Sequence, residues 1–374
     1  MKGSDIMAEK AYKYRIYPNK QQEELIQKTF GCCRFVYNYY LNKRKEMYEN
    51  NKITFTYNMC SKDLTQLKKE FEWLREPDKY SLQKCLKDLD MAYQKFFKEH
   101  TGYPKFKSKK NRYQSYRTSC TNNNIRFENK KIKLPKLGLV KTRDKQIPQG
   151  RILNATISQE PNGHYYCSLC CTDIEFEQLP KTNQNIGVDL GLVDFAILSD
   201  GTKIENPRFF EKSEQKLAKL QRELSRKSIG SNRWNKVRIK VAKLQKHISN
   251  QRNDFLQKLT TKIVKTYDVI AIEDLDVKSM KETDTTIRNK RVGDVSWSEF
   301  RRMLAYKAQW YGKELSVIDR YYPSSQICHC CGHRDGKKLE DIRFWICPKC
   351  NSELDRDINA AINILNEGLR IVNI

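Results

Sequence analysis

The sequence predicts a multidomain protein of mixed α/β and α+β class, and three observations carry that expectation. Strand and helix signals alternate from about residue 185 onward, helical patterning dominates residues 20–100, and short strands separated by turn residues fill residues 125–176. A chain of 374 residues is long enough for two or three cores. Its 39% apolar content can fill them, so the charged remainder need not mean disorder.

Residues 10–17 read as a strand, Tyr17-Pro18-Asn19 as a turn, and a helix starts at Lys20 with Leu25, Ile26 and Phe30 on one face. Toward residue 100, Leu64, Leu67, Leu82, Leu86, Leu89, Tyr93 and Phe97 recur at three- and four-residue intervals, the pattern of a helical bundle with basic outer faces. Residues 101–120 then hold six basic side chains and no acid: Lys105, Lys107, Lys109, Lys110, Arg112 and Arg117. Tyr103, Phe106, Tyr113 and Tyr116 are interleaved with them, so the stretch can neutralise phosphates and stack on bases. Residues 125–176, with the turn Pro161-Asn162-Gly163, predict a small barrel or sheet that residues 10–17 would complete.

In the region from residue 185, residues 212–252 carry thirteen basic side chains and two acids. They form two helical runs around Gly230-Ser231-Asn232, which predicts an antiparallel helical hairpin with a basic surface. Residues 278–296 are polar and contain Gly293, and read either as a solvated connection or as a lid.

Charge narrows the partners. Seventy-one Lys and Arg against 45 Asp and Glu leave a formal +26, an excess that calls for a polyanion, most commonly nucleic acid. The first twenty residues lack an apolar core, and no stretch reaches the roughly 18 apolar residues of a membrane span, so a soluble cytoplasmic protein without a membrane partner is expected. Thirteen cysteines in such a chain point to metal binding or burial rather than a disulfide framework.

Three acids are candidates for chemistry. Ile186-Gly187-Val188-Asp189-Leu190-Gly191 and Val269-Ile270-Ala271-Ile272-Glu273 are apolar strands that end in an acid, where an open α/β sheet exposes functional groups. Asp357 begins a helical run in which Ala360 and Ala361 permit close approach to a sheet, with Ile358, Ile362 and Leu365 as the expected buried stripe. Asp355 reads instead as an N-terminal carboxylate favoured by the helix dipole. Three converging acids repel one another unless cations lie between them, and carboxylate oxygens select Mg²⁺ or Mn²⁺. Two such ions about 3.5 to 4 Å apart would activate water and stabilise the leaving oxygen of a phosphodiester, with Asp189 as the bridging ligand and Glu273 and Asp357 each completing one site.

Cys328 and Cys331, then Cys347 and Cys350, form two C-x₂-C pairs with fifteen residues between them, the spacing of a structural Zn²⁺ site. Gly332 and Pro348 suit its tight knuckles, and Cys330, His329 and His333 are alternate ligands. Cys167, Cys170 and Cys171 lie in a strand-like stretch and are expected to be buried, as are Cys32, Cys33, Cys60, Cys85 and Cys120.

The motifs IGVDLGL, VIAIEDL, WSEFRRMLAYKAQWYGKELSVIDRYYPSSQICHCCG and CPKCNSELDRDINAAINIL, joined upstream by YRIYPNK, FGCCRFVYN and GYPKFKSK, resemble the TnpB family of transposon-encoded nucleases over nearly the whole chain. The resemblance implies an RNA-guided DNA endonuclease related to type V CRISPR effectors. A guide RNA from the transposon end would pair with one strand of double-stranded DNA, a short target-adjacent motif would be read, and a single RuvC site of RNase H-like fold would cut. It implies Asp189, Glu273 and Asp357 as the catalytic, Mg²⁺-binding acids and Cys328, Cys331, Cys347 and Cys350 as Zn²⁺ ligands.

It also implies a wedge β-barrel at residues 1–18 and 116–182, split by a helical recognition lobe at 19–115. A RuvC domain at 183–325 and 353–374 would carry an inserted zinc ribbon at 326–352. Tyr57 and residues 81–84, Gln83 and Lys84 among them, match the family's contact region for the target-adjacent motif, alongside the basic loop. Two alternatives share these acids: a guided DNA-binding repressor without cleavage, and a transposase or resolvase.

Overall fold

The computed structural model describes residues 8–276, 293–339 and 342–372. The polar stretch read as a lid or a connection therefore lies outside the described residues up to 292. Two compact units divide the chain, Met1–Glu175 and Phe176–Ile374. Among the described residues no helix is long and apolar enough to cross a membrane.

The first unit contains an antiparallel sheet of seven strands: β1 (Ala8–Tyr17), β2 (Gln114–Ser119), β3 (Arg126–Glu128), β4 (Lys131–Leu134), β5 (Gly138–Thr142), β6 (Arg151–Gln159) and β7 (Tyr165–Ile174). Their order is β2-β6-β7-β1-β5-β4-β3, so β1 completes the sheet from its middle, pairing with β7 and β5. Among the described residues, the end strands β2 and β3 each pair with one neighbour, β6 and β4.

Burial in this sheet corrects three expectations. Cys167, Leu169 and Cys171 point into the core, whereas Cys170 lies on the opposite face and is half-buried. Cys120, just past β2, is also half-buried. Tyr116 of β2 is buried, with its ring 5.7 Å from Phe30, and so drops out of the aromatics available for stacking.

Between β1 and β2 the chain forms α1 (Lys20–Asn51), α2 (Tyr57–Glu70) and α3 (Lys79–Lys98). Asn19 starts α1 through a capping box with Gln22, and Thr56 caps α2. Cys32, Cys33 and Val36 of α1, Cys60 and Leu64 of α2, and Leu82, Cys85 and Leu86 of α3 supply the buried faces.

The second unit is built on β8 (Asn185–Leu190), β9 (Asp194–Leu198), β10 (Lys203–Glu205), β11 (Val269–Glu273) and β12 (Glu314–Ile318), in the order β10-β9-β8-β11-β12. β11 runs parallel to both β8 and β12, while β9 is antiparallel to β8. Helices α4 (Phe209–Ser225) and α5 (Asn232–Thr266) pack as the expected hairpin, with α5 capped by Ser231 and running fourteen residues past residue 252.

Helix α6 (Trp297–Tyr311) packs on α5, and the last helix, α7 (Arg356–Ile371), lies against β8 and β11. Side-chain alternation sends Ile186, Val188, Ile270 and Ile272 into one core with Leu256 and Phe300. Ala271 instead meets Ile364 of α7 on the other side.

Asp268 closes the lower end of this sheet. It accepts from the backbone N–H of Thr182 (2.8 Å) and Asn183 (2.7 Å) and from the buried Lys313 ammonium. Burial pushes its pKa up, but these bonds outweigh burial and pull it down to about 2. Since that lies below the ordinary value of about 3.9, the stability it contributes is present above pH 4 and lost as pH falls toward 2. Acid titration of the wild type should show that loss, and Asp268→Asn should flatten it while lowering stability at neutral pH, because the Lys313 charge is left unpaired.

Candidate active site

The three acids meet because of strand alternation. Val188 of β8 is opposite Ile272 of β11, so Asp189 and Glu273 are the next residues along two adjacent parallel strands. Each also lies two residues beyond a small residue on the α7 side, Gly187 and Ala271 respectively, and so shares that side of the sheet.

Helix α7 rides close over this face. A Cβ on Gly187 would come within 2.0 Å of the Ala361 carbonyl, and one on Gly368 within 2.3 Å of the Ala271 Cβ. The predicted stripe of Ile358, Ile362 and Leu365 is only half-buried; the buried face is Asn359, Ala360, Ala361, Asn363, Ile364 and Gly368. Contact between helix and strands at glycine and alanine leaves no room for a large aliphatic stripe.

The two buried asparagines bind the approach to the cysteine ribbon. Asn363 donates to the carbonyls of Ser324 (2.8 Å) and Ile327 (2.6 Å); Asn359 donates to Ile327 (2.7 Å) and accepts from the His329 N–H (2.9 Å). Ser324 in turn donates its hydroxyl to Glu273 Oε1 at 2.8 Å. Thus α7 and Glu273 are held through one segment. Asp355 is the N-cap of α7, accepting from the N–H of Asp357 (3.0 Å) and Ile358 (3.1 Å), the helix-start role expected of it. Asp357 follows inside the first turn, and its carboxylate accepts from Arg343 at 2.5 Å and Arg356 at 3.3 Å.

Burial, then the charges of Glu273 and Asp357, push the Asp189 pKa well above the carboxylate range, against partial relief from Arg356. Burial also raises Glu273, opposed by the bond from Ser324. Carboxylates that resist sharing one space as anions are the donor set a hard divalent cation relieves, so these residues fit Mg²⁺ or Mn²⁺. Arg343, which composition alone would leave on the surface, is the functional candidate missed in the sequence; no spacing signal marks it.

Cys328, Cys331, Cys347 and Cys350 gather with their sulfur atoms all within 4.8 Å of one another. Two of the separations, Cys328 to Cys350 and Cys331 to Cys347, are 3.6 Å, near the roughly 3.8 Å expected for tetrahedral ligands each about 2.3 Å from one Zn²⁺. The first knuckle turns at Gly332 (φ 71°), as expected, but the second turns at Asn351 (φ 57°), after the second cysteine of its pair. His329 Nδ1 is 3.0 Å from Asn359, and Cys330, His329 and His333 stand outside the four-sulfur cluster.

In the first unit, Lys105, Lys107, Lys109, Lys110 and Arg112 are all exposed, and Phe106 and Tyr113 project among them. Tyr57, Gln83 and Lys84 are half-buried; Ser81 is fully buried and bonds Asp78, so it is not a surface contact. Lys87 lies 5.6 Å over the Tyr57 ring, which brings α2 and α3 to one basic face.

Parallel strands ending in two acids, a third acid on the helix that covers them, and an adjoining four-cysteine ribbon form an arrangement suited to metal-assisted phosphodiester chemistry. More particularly, the chain belongs to the TnpB family. It matches the family model described as "Probable transposase" over residues 164–284 and that described as "Cas12f1-like, TNB domain" over 297–364. A "Helix-turn-helix domain" model matches residues 7–52, where the fold has one strand and one long helix.

Among the relatives that carry the name "Putative RNA-guided DNA endonuclease" are two that match nearly the whole chain. The one from Streptomyces pristinaespiralis is 37% identical, over 96% of this chain and 89% of its own. The other, InsQ of Escherichia coli K12, is 34% identical over 96% and 92%. Among solved structures, a Cas12f1-sgRNA-target DNA complex shares the fold, with TM-score 0.64 at 12% identity, over 96% of this chain and 99% of that one.

Proposed function

We propose that this protein is an RNA-guided DNA endonuclease of transposon origin that cuts double-stranded DNA matched to a bound guide RNA and next to a short target-adjacent motif. The observation that carries the reading is the sharing of one sheet face by Asp189 and Glu273, under the helix whose first turn carries Asp357. The second unit is then a RuvC nuclease of RNase H-like fold, with residues 326–352 as its zinc ribbon. Residues 1–18 and 116–182 are the wedge, and 19–115 the recognition lobe.

Asp189, Glu273 and Asp357 would hold two Mg²⁺ ions, which would supply water activation and leaving-group stabilisation. The chain's own residues prepare that site. Ser324 fixes one oxygen of Glu273, and Asp355 fixes the first turn of α7 so that Asp357 faces Asp189. Arg343, which donates to Asp357 at 2.5 Å, places a guanidinium beside the acids, where it can meet the scissile phosphate. Arg343→Ala should therefore slow cleavage by about 10² to 10³, as loss of one preorganised donor does, with guided binding unchanged in a mobility-shift assay. Zn²⁺ is held by Cys328, Cys331, Cys347 and Cys350. The basic loop with Lys105, Lys107, Lys109, Lys110 and Arg112, and the face with Tyr57, Gln83 and Lys84, grip nucleic acid.

The decisive experiment purifies the protein, sequences the RNA that accompanies it, and supplies DNA matched to that RNA. Cutting of matched DNA only, with binding that weakens by orders of magnitude between low and moderate salt, is the expected result. Cleavage independent of RNA would defeat the reading in favour of a transposase or resolvase.

A further inference from the structure

A cleft of about 950 Å³ opens in the first unit between the C-terminal halves of α1 and α3. Tyr48, Phe55, Tyr93, Phe96, Phe97 and Tyr103 line it. Three of these are unusually bare for large aromatics: Phe97 is 68% exposed, Tyr48 58% and Tyr103 43%. The rings are braced against one another. Phe96 packs at 5.0 Å from Phe97 and 5.3 Å from Tyr103, and the Tyr93 and Tyr103 hydroxyls are 2.9 Å apart.

A folded protein seldom leaves such a contiguous aromatic wall in water without a partner for it. Charge on the rim says what kind. Arg44, Lys45 and Lys98 stand there against Glu49 and Asp90; Lys45 reaches Glu49 at 3.8 Å and Arg44 bonds Asp90 at 2.8 Å, which leaves the Lys98 charge in excess. Rings for stacking between cations for phosphates suit a single nucleic-acid strand.

We propose that this cleft holds the DNA strand displaced when the guide pairs with its complement, its unpaired bases stacked on Phe97 and Tyr48. The assignment rests on the guided-cleavage reading. RNA pairing with one strand of a duplex necessarily frees the other, whose sequence differs at every target. A wall of rings grips such a strand without reading it, because every base offers a π face.

The test uses the full chain and its co-purifying RNA. Fluorescein-labelled hexathymidylate, an abasic hexamer of the same length and hexauridylate are compared by anisotropy. Hexathymidylate should bind at least tenfold tighter than the abasic strand. Phe97→Ala with Tyr48→Ala should erase that difference, and Phe97→Trp should keep it. Both replaced side chains are mostly exposed, so melting temperatures should match the wild type.

On DNA, the double variant should cut a fully paired target about tenfold slower, and a target with a pre-opened mismatched bubble at the wild-type rate. Equal affinity for the abasic strand would overturn the proposal, and so would tenfold preference for hexauridylate, which assigns the cleft to RNA. A concentration-dependent dimer dissolved by Phe97→Asp would overturn it too, giving the cleft to a second copy of the chain. If the wild type cuts no guided target, the cleavage reading fails by itself, and the oligonucleotide comparison still decides what the cleft binds.

Discussion

Asp189→Asn should abolish cleavage of guide-matched DNA, by at least about 10³, while making the protein more stable in the presence of a chelator. Burial and the neighbouring Glu273 and Asp357 raise the folded pKa of Asp189 well above its ordinary value of about 3.9. The folded chain then binds more protons than the unfolded chain through that window, so stability falls as pH rises from about 4 through the folded pKa. Above about pH 4, holding this carboxyl in the fold beside Glu273 and Asp357 is a cost that the isosteric amide removes. Cation binding should reverse the order: Mg²⁺ raises the melting temperature of the wild type by mass action and leaves the variant nearly unmoved. Melting curves with and without Mg²⁺, beside plasmid cleavage, separate the two effects. Persistent cutting by the variant would move the chemistry elsewhere, and an equal Mg²⁺ shift in both proteins would move the ion.

Local chemistry was legible in the sequence and tertiary approach was not. Val269-Ile270-Ala271-Ile272-Glu273 and Ile186-Gly187-Val188-Asp189 announce buried parallel strands because both faces must be apolar, and both are strands with their acids at the emerging end. The cysteine spacing is equally local, since two knuckles around one ion need only a few residues each. The face of α7 failed because hydrophobic periodicity assumes that apolar side chains mediate packing. Here Gly187, Ala361 and Gly368 bring backbones together while Asn359 and Asn363 point inward to bond a loop. Tyr116 and Ser81 lie inside for a related reason: strand parity and a helix-start bond to Asp78 turn them inward, and neither follows from composition. Arg343 was invisible because its meaning lies in a contact with Asp357 across the ribbon.

Cys347→Ser should release the ribbon metal and disable cleavage without unfolding the rest of the second unit. Among the described residues the ribbon's own core is small. Its core is Trp345 and Leu354 packed on Cys328, Cys331 and Cys347. Its sheet is two short strands, β13 (Phe344–Ile346) and β14 (Glu353–Asp355), and such a pair is marginal alone. Structural Zn²⁺ contributes about 10 to 16 kcal/mol in modules of this size, so most of the ribbon's order depends on it. Loss then spreads along covalent connections to the site. Arg343 directly precedes β13, and Asp355 both ends β14 and caps the helix that carries Asp357. The main core around Ile270 and Phe300 shares no residue with the ribbon and should persist. Zinc content near zero, new protease cuts within residues 328–352, near-native helical circular dichroism and cleavage reduced by at least about 10² form the expected set. A variant that keeps one zinc per chain and resists protease would remove Cys347 from the ligand set. One that loses zinc yet cuts normally would show that Asp357 is held by Asn359, Asn363 and the strands beneath α7 without help from the ribbon.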